Sequence, residues 1–214
     1  MVALMAVIGL VCGRAIRGLA DAYAGRVMAD ASHDDGPGPV LTSHGGLAPV
    51  PAWPPSVELV AAAVAGLVAW RVGPPFVCFA VIGTALAFVD WRTGLLPDAV
   101  TLPAYPIVAL ALVPTGELPR AVAGGVVLAA AYGVLWFLRP DAMGLGDVKL
   151  AGLIGLASAA LGWQALVVAA FCGQVLGALY GLALLVTRRG SGRTQFPLGP
   201  FMLLGAFSVL VLGW

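Results

Sequence analysis

Residues 151–186 pass without a single charged side chain, and that stretch constrains the fold more than any other part of the chain. A soluble domain has few places to bury such a run. A bilayer accepts it readily, since a spanning helix needs about 20 mostly apolar residues. Of the 214 residues, 61% are hydrophobic and 10% charged, and the mean hydropathy is +1.00. Soluble domains carry about 25% charged residues. The balance is that of an all-α polytopic membrane protein. A net charge of +1 provides no basic field to hold nucleic acid. Cys12, Cys78 and Cys172 stand far apart in apolar sequence with no C-x-x-C pair, so neither a zinc knuckle nor a disulfide framework is expected. Arg14 and Arg17 follow the first apolar run instead of preceding it. That run is therefore expected to be an anchor, not a cleaved signal.

Apolar runs mark eight expected transmembrane helices, at 2–20, 57–72, 75–89, 99–115, 119–138, 148–161, 163–187 and 197–214. Pro74, Pro75, Pro97, Pro119 and Pro140 fall near their boundaries, where a missing N–H does least harm. Pro103 and Pro106 fall inside the fourth and are expected to kink it. With the N-terminus outside, nine of the eleven basic residues lie in cytoplasmic segments, and only Arg71 and Arg120 lie on the outer side. That orientation follows the positive-inside rule. Between Asp21 and Pro55 the chain is rich in Pro and Gly and lacks a helical period, so an irregular cytoplasmic loop is expected there. The chain thus divides into residues 1–56, a first helix plus loop, and residues 57–214, the main membrane-embedded domain. Gly173, Gly177 and Gly181 are spaced four apart and read as a stripe for close helix packing.

In this topology two short cytoplasmic connections bring acids to one membrane face. "VDWRTGLLPD" carries Asp90 and Asp98, and "RPDAMGLGDVK" carries Asp147 and Lys149. Asp90 is expected at a helix C-terminal end and Asp147 at a helix N-terminal end. Aspartate in a loop or at a helix cap needs no function, yet acids at the edge of hydrocarbon commonly mark a functional site. Gly144 and Gly146 flank Leu145 just before Asp147. A Gly-x-Gly can take positive φ and let other backbone approach, leaving room for a peptide to lie extended beside Asp147. Two carboxyl groups facing one pocket are the minimal apparatus of an aspartic protease, sharing one proton because two like charges about 3 Å apart cannot both ionise. Helix dipoles would favour charge on Asp147 and the shared proton on Asp90.

These residues resemble a known family. "DWRTGLLPDAVTLP" (Asp90 to Pro103), "GLGDVKLAGLIG" (Gly144 to Gly155) and "FPLGPFMLLG" (Phe196 to Gly205) are similar, in order, to three blocks of the type IV prepilin peptidases, which are GxGD-type membrane aspartic proteases. The resemblance covers residues from about 57 onward. It implies an endopeptidase that removes the basic leader of prepilins or pilin-like precursors after a glycine, at the cytoplasmic face of the bacterial inner membrane. It places Asp90 and Asp147 at the catalytic pair. Pro97, Asp98, Gly144, Gly146 and Lys149 fall within the same blocks as supporting positions. Lys149 either steers Asp147 or, as is favoured, snorkels to the headgroups.

The chain also departs from the family pattern. Larger members carry a zinc insertion of two C-x-x-C pairs. Here the corresponding stretch holds only His33 and His44 as potential ligands, so a compact form with no metal site is expected. No cofactor is needed for proteolysis. S-adenosylmethionine would enter only in a bifunctional, N-methylating enzyme, and no feature read here implies one. The expected partners are a prepilin or pseudopilin precursor and membrane lipid, with no nucleic acid and no assignment of oligomeric state. Two rival readings are a transporter using intramembrane acids, and an inactive pilus-assembly scaffold with the same fold. Against the transporter, the acids cluster at one edge and no broken-helix repeat is visible.

Overall fold

The computed structural model describes residues 1–33, 56–140, 143–187 and 197–212. Among the described residues there are eight α-helices and no strand: α1 (Val2–His33), α2 (Ser56–Arg71), α3 (Val77–Thr93), α4 (Asp98–Leu112), α5 (Leu118–Leu138), α6 (Leu145–Leu161), α7 (Trp163–Val186) and α8 (Gly199–Leu212). Single 3₁₀ turns at Pro74–Phe76 and Val113–Thr115 extend α3 and α4. Five of these segments are long and apolar enough to cross a membrane: Val2–Tyr23, Pro74–Thr93, Asp98–Thr115, Leu118–Leu138 and Trp163–Val186. The helices α2, α6 and α8 are shorter, at 16, 17 and 14 residues.

The first helix corrects the sequence reading. It runs on to His33, so residues 21–33, expected as part of an irregular loop, are helical. The remainder of that expected loop, including His44, lies outside the described residues, as do Arg188, Arg189 and Arg193. Prolines behave as their missing N–H groups require. Pro74 and Pro119 sit in first turns and Pro97 is the N-cap of α4. Pro103 and Pro106 lie within α4, which continues through both to Leu112.

The centre of the bundle is α6. Every residue from Leu150 to Ala160 is buried, as suits a helix that is apolar on all sides. Glycines set the spacing around it. A methyl on Gly155 would lie 2.5 Å from the Gly124 carbonyl oxygen of α5, and one on Gly152 would lie 2.2 Å from the Tyr105 hydroxyl of α4. On α7, Gly173 and Gly177 face α8, where added methyls would meet Met202 Cα at 2.8 Å and Leu198 Cδ1 at 2.7 Å. The expected packing stripe is real at those two positions. Gly162 alone links α6 to α7, with φ 153° and ψ 163°, a region that is essentially glycine-only.

The outer surface is apolar. Leu110, Phe137, Phe171 and Val186 are each at least 69% exposed, and only 18% of the apolar window of α1 is buried. Such a surface is costly in water and natural in lipid, and this is a multi-pass membrane protein. The two basic residues set apart by charge counting have a specific use. Arg71 donates to the Val211 and Leu212 carbonyls at the end of α8, and Arg120 to the Ala159 and Ala160 carbonyls at the end of α6. Each guanidinium satisfies carbonyls that a helix C-terminus leaves open.

Candidate active site

At the other end of α6 and α8, three helix termini converge. Asp90 lies in the last turn of α3, four residues before Gly94 closes the helix in the left-handed conformation (φ 63°) with its N–H on the Asp90 carbonyl at 2.8 Å. The Asp90 side chain is only 4% exposed. Its Oδ2 accepts the N–H of Gly199, the first residue of α8, at 3.0 Å. The helix extends past Asp90 to Thr93, so Asp90 belongs to α3 itself and not to the connection after it.

Asp147 is the third residue of α6. Its Oδ2 accepts the N–H of the N-cap residue Gly144 at 3.3 Å, and its own N–H goes to the Gly144 carbonyl at 3.1 Å. The carboxyl group is half-buried. Asp90 and Asp147 are close enough for the charge of one to act on the other. The bridge between them is α8, which packs against both α3 and α6. A methyl on Gly199 would meet Asp90 Oδ2 at 2.6 Å and Leu150 Cδ2 at 3.2 Å. Leu150 is three positions beyond Asp147, on the same face of α6. The N-terminal end of α8 thus also points at Asp90, a dipole that the sequence reading left out of its balance.

The Gly-x-Gly does something other than expected. Gly144 has φ −79° and ψ 152°, and Gly146 lies within the helix, so neither takes positive φ. A methyl on Gly146 would lie 2.9 Å from Leu96 Cβ. The close approach is therefore made by the α3–α4 turn of the protein itself. At Gly144 an added methyl would meet Asp147 Oδ2 and the Gly146 nitrogen at 3.8 Å, an ordinary contact.

The supporting residues tie α4 to α6. Pro97 starts α4: its carbonyl accepts the N–H groups of Val100 and Thr101, each at 3.0 Å. Asp98 points outward and is paired with Lys149, Nζ to Oδ1 at 2.6 Å. Asp98 thus holds the Lys149 ammonium. The Lys149 carbonyl accepts the Tyr105 hydroxyl at 2.6 Å, a second link between the same two helices. Three contributors were given no site role from the sequence, although Gly199 lies in the Phe196–Gly205 block. Gly199 had a signal, a Gly-Pro pair ahead of an apolar run, which marks a helix start. Tyr132, within reach of the Asp147 charge, accepts a hydrogen bond from Gln174 at 3.1 Å, and nothing in the sequence singled out that pair. The rings of Trp91 on α3, Tyr180 on α7 and Phe201 on α8 pack against one another, with centroids 4.9–6.3 Å apart.

Residues 76–182, half of the chain, match the type IV leader peptidase family. This chain belongs to that family. Similar proteins include the prepilin leader peptidase/N-methyltransferase of Pseudomonas putida, 33% identical over 174 residues, covering 74% of this chain and 58% of that protein. The protein of the same name from Aeromonas hydrophila is 33% identical over 186 residues, covering 78% and 60%. The one from Neisseria gonorrhoeae is 34% identical over 175 residues, covering 75% and 55%. The chain thus spans somewhat over half the length of these relatives. No solved structure matches it.

Proposed function

We propose that this family member is a membrane aspartic endopeptidase that removes the basic leader from type IV prepilins or pilin-like precursors. The observation that supports the reading is that two acids from different helices, Asp90 of α3 and Asp147 of α6, lie at one end of the bundle, where the first residue of α8 touches Asp90 and Leu150 of α6. The names of the relatives supply the substrate class.

In this reading all eight helices cross the inner membrane, the N-terminus faces out, and the aspartates face the cytoplasm, where most basic residues fall. The precursor places its leader in the cytoplasm and its apolar helix against the bundle. The cleavage segment lies beside Asp147, and the Trp91, Tyr180 and Phe201 rings offer an apolar wall. One carboxylate takes a proton from water as that water attacks the carbonyl carbon of the glycine at the cleavage site. The other carboxyl group, protonated, polarises the carbonyl oxygen. The tetrahedral species collapses, and the amine leaves after receiving a proton. The chemistry uses no cofactor. The chain is read as a peptidase alone, with S-adenosylmethionine relevant only to a bifunctional enzyme.

The test is co-expression of the full chain with a prepilin encoded in the same genome. The expected result is a shortened pilin on a gel with the wild type and only full-length precursor with Asp90→Ala or Asp147→Ala. Full processing by either variant rejects the aspartic mechanism.

A further inference from the structure

The N-terminal turn of α8 contains an unusual distribution of donors. Phe201 and Met202 both give their N–H groups to the Leu198 carbonyl, each at 3.1 Å. Pro200 has none to give. The N–H of Gly199 is left over, and it goes to Asp90 Oδ2 at 3.0 Å, across 109 residues of sequence. The carboxyl group that receives it is buried, where a hydrogen bond to a charged group is stronger than in water and more costly to lose. The space is equally specific. A side chain at position 199 would begin 2.6 Å from Asp90 Oδ2, 3.2 Å from Asp90 Cγ and 3.2 Å from Leu150 Cδ2. Those atoms belong to the two helices that carry the aspartates, so the methyl has no free direction.

We infer that Gly199 is a positioning residue for the peptidase reaction: its N–H holds the Asp90 carboxyl group in register with Asp147, and the absence of a side chain lets α8 approach closely enough to do so. The inference rests on the aspartic-peptidase reading above. Gly199 is not itself a catalytic residue; it acts through Asp90. In this view α8 is a template whose first turn sets the relative placement of two acids on helices that it separates.

The test uses the full chain reconstituted in lipid vesicles with a prepilin substrate, with kcat and KM measured separately. Displacing a catalytic group by about 1 Å can cost about 100-fold, so Gly199→Ala is expected to lower kcat by about that factor while KM stays within about twofold. If Gly199 only packs α8 in place, the variant will instead lose folded protein or raise KM at unchanged kcat, and the inference falls. A second variant separates the hydrogen bond from the bulk. Glycolic acid at position 199, introduced by nonsense suppression, replaces N–H by oxygen and adds no side chain. Its kcat is expected to fall about tenfold. Full kcat in this ester variant overturns the inference whatever Gly199→Ala does. A wild-type chain that cleaves no prepilin overturns both readings. Cleavage by the wild type with full kcat in both variants removes only this one.

Discussion

Asp90 and Asp98 stand on either side of one turn, yet their surroundings are opposite. Asp90 is 4% exposed and receives a backbone N–H from a distant helix. The Asp98 side chain is 57% exposed and is paired with a lysine that is itself partly exposed. The first arrangement costs desolvation and persists only where a fold supplies donors. The second contributes little to stability, because water screens it. Burial and a backbone donor therefore separate a candidate reaction centre from a strap, a distinction that the sequence drew only through the family resemblance.

The largest expected effect tests that contrast directly. Asp90→Asn should lower prepilin cleavage by about 10²–10⁴-fold, the range typical of removing a general acid or base, while Asp98→Asn leaves turnover within the same order of magnitude. Equal losses in the two variants would erase the distinction. Next comes the turn joining the two acids. Gly146→Ala pushes against Leu96 and should cost about 1–3 kcal/mol as overpacking, seen as a lowered unfolding temperature in detergent together with slower cleavage. A smaller effect is expected for Tyr105→Phe, which removes the hydroxyl held by the Lys149 carbonyl. About 1 kcal/mol of stability should be lost, with KM unchanged. Least of all, Lys149→Gln should shift stability by no more than about 1 kcal/mol and make the protein less sensitive to added salt. A large loss of activity in Lys149→Gln would show that the strap acts on Asp147 after all.

Much of the bundle was legible because apolar runs and proline positions are local signals. The fifth helix was expected at 119–138 and is Leu118–Leu138. Hydropathy misled at α1. Residues 21–33 carry Asp21, Arg26 and Asp30, which end an apolar run, but the segment is rich in alanine, the strongest helix former. Propensity carried the helix where hydropathy stopped. Of the two glycines before Asp147, only Gly146 meets a close neighbour, and that is Leu96 of the protein itself, where the sequence suggested room for a peptide. Gly199 was hardest to see. A backbone donor has no side-chain signature, and its acceptor lies 109 positions away. The Arg71 and Arg120 contacts share that difficulty: charge counting gave their end of the molecule, and only the fold shows which helices they close.

The length of α8 has a consequence for where water must travel. Its 14 residues rise about 21 Å, against about 30 Å of hydrocarbon. The exposed, charged Arg71 clamps the far end of this rod, and a charged side chain there favours the headgroup level. The shortfall then falls at Gly199. On the aspartic-peptidase reading proposed above, water must descend several ångströms beneath the phosphates to reach the carboxyl groups.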